Sequence, residues 1–76
     1  MAFSKQYPHI AWWVDNNGWM IVGNDEESDS VLRLIDAAGI SWEDEDSDTI
    51  DKALLNAEMY LKKALPLRFP NRFKLA

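Results

Sequence analysis

The densest run of side chains that could hold a metal ion is Glu43-Asp44-Glu45-Asp46-Ser47-Asp48. Its D-x-D-x-D spacing offers the hard oxygen ligands that calcium takes. The match to a twelve-residue calcium loop ends there. Counted from Asp44, the sixth position is Thr49 where the loop turns on Gly, and the twelfth is Leu55 where it needs a bidentate Glu. The run therefore reads as a solvated acidic loop ahead of a helix N-terminus, where the helix dipole favours negative charge. His9 is the only histidine and the chain has no cysteine, so zinc ligation and a nucleophile-and-base pair lack the necessary side chains. Ser28, Ser30, Ser41 and Ser47 have no base assigned to them, and no phosphate-binding glycine run occurs. The many carboxylates fall on expected exposed loops, where nothing separates their pKa values for general acid and base work. The sequence points to no catalytic residue, no metal and no cofactor, and the expectation is a protein that is not an enzyme.

Binding is the remaining chemistry. Arg68-Phe69-Pro70-Asn71-Arg72-Phe73-Lys74 interleaves bases with aromatics, a composition that stacks on single-stranded nucleic acid. Three cations give little affinity at physiological salt, so nucleic-acid contact through Arg68, Phe69, Arg72, Phe73 and Lys74 is the alternative reading. In the other reading this tail packs its phenylalanines on its own domain or on a neighbour. Trp12, Trp13 and Trp19, crowded around Asp15-Asn16-Asn17-Gly18, could stack on bases or sugars, but the acidic balance of the chain favours protein burial.

The net charge is −5 and it is unevenly spread. Asn24 to Asp51 holds eleven acids against Arg33 alone, while Lys52 to Ala76 holds six bases against Glu58. A polyanion is repelled from the middle of the chain. Seventy-six residues suffice for one core, burying only about 60% of the surface of the unfolded chain. No stretch approaches the roughly 18 apolar residues of a membrane span. The start, MAFSKQYPHI, lacks the apolar centre of a signal peptide. A cytoplasmic location is expected, with no membrane partner.

The elements follow from periodicity and turn residues. HIAWWV and WMIVG are dense in β-formers and flank the turn tetrad, which predicts a hairpin. A two-residue loop on Asn17-Gly18 competes with a turn from Asp15 that leaves Gly18 left-handed in a bulge, and the latter suits the residues better. In that register Ile10, Trp12, Val14, Met20 and Val22 share one face, and Ala11, Trp13, Trp19 and Ile21 share the other. Val31, Leu32, Leu34, Ile35 and Ala38 recur at helical spacing, predicting a helix over Glu27 to Ala38, with Asn24 and Ser28 before it and Gly39 closing it. Ile40 to Glu43 alternates as a short strand. Ser47 or Asp48 caps a last helix that runs to Leu65, where Pro66 stops it.

The expected fold is α+β in two layers: a three-stranded antiparallel sheet in the order 2-1-3, two helices on one face, topology β-β-α-β-α. Residues 1–65 form a single domain and 66–76 an extended basic arm. Both faces of the hairpin are apolar while the helices cover one, so the other is left for a partner. The expected partner-binding residues are Trp12, Trp13, Trp19 and Ile21 on the sheet, with Leu55 and Met59 on the outer face of the last helix. The expected assembly is a homo-oligomer, a dimer first of all, or a complex with another protein.

The stretch Asp48-Thr49-Ile50-Asp51-Lys52-Ala53-Leu54-Leu55-Asn56-Ala57, followed by Leu61, resembles the D-T-x-E-E-A-L-x-N-A segment of the HicB-like antitoxin family and its small stand-alone relatives. The resemblance covers roughly His9 to Leu65, and Gly18-Trp19 stands where that family has a Gly-aromatic exit from its leading hairpin. It implies a partial ribonuclease-H-like fold without catalytic acids that binds and neutralises a small toxin ribonuclease. The sequence departs from the family at the expected helix over Glu27 to Ala38, and at Ser47, where a Gly usually precedes the Asp. The layout is also similar to small bacterial proteins with a Trp-rich hairpin and a G-x-x-W-E stretch, here Gly39 to Glu43.

Overall fold

A computed structural model describes residues 2–23 and 31–74. The chain begins with a single helical turn, α1 (Phe3–Gln6), and a longer helix, α2 (Pro8–Asn16). Pro8 occupies the first turn of α2, where its missing N–H costs nothing and its fixed φ suits the helix. Buried His9, Ile10, Trp12 and Trp13 stand at i, i+1, i+3 and i+4, so one helical face carries all of them. The expected strand over HIAWWV is thus a helix. The tetrad Asp15-Asn16-Asn17-Gly18 is its exit, with the amides of Asn17 and Gly18 both donating to the Trp13 carbonyl at 2.9 Å.

Three strands follow, β1 (Trp19–Val22), β2 (Leu32–Asp36) and β3 (Gly39–Asp44). Here Trp19 to Val22 and the short third strand are as expected. The helix expected over Glu27 to Ala38 is, from Leu32 on, strand β2; the beginning of that helix, with Asn24 and Ser28, lies outside the described residues. The sheet is antiparallel and three-stranded, in the order β1-β2-β3 instead of 2-1-3, and the topology is α-α-β-β-β-α. A run such as VLRLI satisfies helical and alternating templates together, and pairing on both sides decided for the strand. Gly39 is left-handed as expected (φ 119°), but in the β2–β3 turn, where Asp36 Oδ1 accepts the amide of Ala38 at 2.9 Å.

The last element, α3 (Ile50–Arg68), is capped by Thr49, whose hydroxyl accepts the amide of Lys52 at 3.2 Å. It does not stop at Pro66. The proline sits on the exposed side, and the helix continues to Arg68. Phe69 to Phe73 then turns back onto α2 instead of extending, with the Phe73 amide donating to the Phe69 carbonyl at 2.9 Å. Both α2 and α3 cover one face of the sheet. Ile10, Trp13, Leu32, Leu34, Ala53, Ala57, Leu61 and Leu65 form the fully buried core, and Trp42 of β3 stacks on Tyr60 of α3 at 5.5 Å between centroids.

The passage from α2 to β1 is tight. A Cβ on Gly18 would lie 1.9 Å from the Ile35 carbonyl oxygen, so only glycine lets β1 approach β2 here. Gly18→Ala should therefore lower stability by about 1 to 3 kcal/mol or more. Trp13→Ala should cost about 3 to 5 kcal/mol. Trp19→Ala should cost less than about 1 kcal/mol. Urea titration followed by circular dichroism ranks the three, and equal losses at Trp13 and Trp19 would contradict the packing.

Candidate functional site

Among the described residues, the sheet face turned away from α2 and α3 carries the most exposed apolar group of the strands. Cross-strand register sets Trp19 opposite Ile35 and Ile35 opposite Ile40, so these three side chains form one rung. Trp19 is 51% exposed and Ile40 55%, with half-buried Ile35 between them. The next rung is Ile21, Arg33 and Glu43, of which Arg33 is buried. The indole N–H of Trp13, inside the core, donates to the Trp19 carbonyl at 3.2 Å and fixes the start of β1.

The structure divides the expected partner-binding residues into three places. Trp19 and Ile21 share the open face. Leu55 and Met59 are exposed one turn apart on the outer side of α3, across the molecule from that face, among Lys52, Lys62 and Lys63. Trp12 and Trp13 leave the partner set, because on a helix adjacent residues are 100° apart and both rings fit the buried side of α2.

The residues of the expected arm gather around those two rings. Phe69 and Phe73 lie 5.5 and 5.3 Å from Trp12, and Phe73 stacks on His9 at 5.3 Å. The Arg68 guanidinium sits over Trp13 and Phe69 and donates to Asp36 Oδ2 at 3.1 Å. Arg72 sits over Trp12 and Phe69 and donates to the Asn16 carbonyl at 2.9 Å, at the negative end of α2. Phe69 and Phe73 are thus half-buried within the fold, while Arg68, Arg72 and Lys74 remain exposed.

Sequence reasoning missed Glu58. Its half-buried carboxylate accepts the amides of His9 and Ile10, each at 3.0 Å, and the Nδ1 of His9. No local pattern announces a cap supplied from 49 residues away. His9 stands at the start of a helix instead of a strand. A groove of about 500 Å³ beside α2 is lined by Phe3, Ala11, Val14 and Met20, with Ser4 and Asp15 as its polar side chains. No group of three His, Cys, Asp or Glu among the described residues is placed to hold a metal ion, and none of the described helices is long and apolar enough to cross a membrane.

In the acidic run, Asp44 turns inward. Burial raises its pKa, but hydrogen bonds from the Ser47 hydroxyl and amide, Asn56 and the Asp46 amide outweigh this and hold it below the ordinary 3.8. Asp36 is also lowered, by the Ala38 amide first and by Arg68 and Ser41. Groups lowered in the folded state contribute stability that is complete above their unfolded value and lost as pH falls through the folded one. The urea midpoint should thus drop on acidification below pH 3.8. Asp44→Asn should be less stable than the parent at pH 7 and flatten that drop.

Comparison with family models, with curated proteins and with solved structures finds no match to this chain.

Proposed function

We propose that the chain is a non-enzymatic interaction module that binds protein through the open face of its sheet, a second copy of itself first of all. The rung Trp19–Ile35–Ile40 carries the reading. A tryptophan side chain buries on the order of 150 to 250 Å² in all, and half of Trp19 is still exposed. Continued along the rung by Ile35 and Ile40, it makes an anchor of the type that dominates protein interfaces. Face-to-face stacking of two such sheets supplies the second cover that the helices do not. Trp19→Ser tests this. The variant should keep the circular dichroism of the parent while sedimentation at micromolar concentration shows a smaller species. A parent that is already monomeric, with Trp19 freely quenched by acrylamide, would defeat self-association through this face.

The antitoxin-like version has one observation in its favour. Three antiparallel strands lead into the helix that begins within the Asp48 to Ala57 stretch, although Gly18-Trp19, where the resemblance puts the exit of a leading hairpin, joins helix α2 to β1. The second contact would then be a small basic ribonuclease, encoded in a neighbouring reading frame. Co-expression of the two should yield a complex that Trp19→Ser weakens and Leu55→Ser leaves intact. Unchanged binding by Trp19→Ser would remove the sheet face from that role.

A further inference from the structure

We infer that the outer edge of β1 is a second contact surface, and that it pairs in antiparallel with β1 of a second copy of the chain, doubling the sheet. The order β1-β2-β3 leaves two edges, and they are built differently. The β3 edge carries exposed Glu43, and its register with β2 shifts at Leu34/Ile35. Charge and irregularity are the devices that keep an edge from pairing. In β1, Trp-Met-Ile-Val, there is no charge, no proline and no break in the register with β2. Among the described residues no strand lies beyond it.

The groups on this edge that bond no other described strand can be named. Gly23 donates its amide to the Val31 carbonyl, one step beyond the Val22–Leu32 pair. Backbone groups alternate sides along an antiparallel strand, so Trp19 and Ile21 turn theirs toward β2, and Met20 and Val22 turn theirs outward. Residues opposite one another must share a sheet face. A two-fold axis at Ile21 satisfies both conditions: Met20 lies opposite Val22 of the second copy, and Ile21 lies opposite its own counterpart. Every outward amide and carbonyl of Met20 and Val22 is then bonded in both copies.

A second copy can approach this edge without opposing like charges. The molecule carries −5, yet from Pro8 to Gly23 its one charged side chain is Asp15. Two copies repel least where they meet along this segment. The cross-strand pairs are apolar throughout, with no like charges opposed.

This inference rests on the self-association proposed above but uses another surface. Edge pairing leaves Trp19 and Ile40 open on the joined sheet, so two joined sheets can still stack. A face contact alone gives a dimer; face and edge together give a tetramer. Sedimentation of the full chain from low to high micromolar concentration separates them. Val22→Pro removes an outward amide at an exposed position without touching the bonds to β2. Val22→Lys is the second variant should proline disturb the fold. The parent should be a tetramer, Val22→Pro and Trp19→Ser should each halve its mass, and the double variant should be monomeric. In the Trp19→Ser background, Ile21→Cys should form a disulfide-linked dimer on mild oxidation. Cα atoms of such a non-hydrogen-bonded pair lie about 4.5 Å apart, within disulfide reach, and the chain has no other cysteine. A parent dimer that Trp19→Ser dissolves and both Val22 variants leave intact would overturn the edge pairing and spare the face. A dimer with the opposite response would support the edge and overturn the face, and a monomer at every concentration would overturn both.

Discussion

The fold depends on one half-buried carboxylate held between two helices. Pro8 opens α2 without an N–H, and the next two amides, of His9 and Ile10, have no partner within the helix. Glu58 of α3 accepts both, and places its negative charge at the positive end of α2. The angle at which α2 meets α3 is thereby set by hydrogen bonds as well as by packing. Everything around the two adjacent tryptophans follows. With the helix start held, Trp13 is driven between α3 and the sheet. Trp12 is turned toward Phe69 and Phe73, which close over it and over the His9 ring. A chain this short gains much from such a closure, because each aromatic ring added to a small core is a large share of the whole.

The sequence was legible where a segment had only one reading. The last helix, with its stripe of Ala53, Ala57, Leu61 and Leu65, and the short third strand are where periodicity puts them. Two apolar runs were exchanged. HIAWWV is rich in β-formers yet folds as helix, because Pro8 suits a first turn and Glu58 completes it from a distance. VLRLI has helical spacing yet folds as strand, because β1 and β3 bond it on both sides. In each case a contact remote in sequence outweighed local propensity. The same limit applies to the contact surface. Trp19 and Ile21 were readable as a pair on one strand face. Their neighbours Ile35 and Ile40 were assigned to a helix and to a separate strand, so the rung itself could not be seen.

The stretch that carries the family resemblance has a structural duty at nearly every specific position. Thr49 caps the helix, Ala53 and Ala57 let α3 approach the sheet closely, and Asn56 donates to Asp44 and to the Ser47 hydroxyl. Those bonds tie the end of β3 to the second turn of α3 and fold the acidic run against the domain. The conserved-looking spacing is then a recipe for joining a strand to a helix, and a partner need not touch any of it. The surfaces proposed for contact lie elsewhere, on the sheet face away from the helices and along β1.

The bond from the Trp13 indole to the Trp19 carbonyl joins an interior ring to the backbone of a surface strand. An indole is a fluorophore whose emission responds to its N–H partner and to nearby charge, and Arg68 already sits over this one. The molecule thus contains its own optical gauge. With the other three tryptophans replaced by phenylalanine, a shift of β1 would change the surroundings of a buried chromophore, and the core would report on events at the surface.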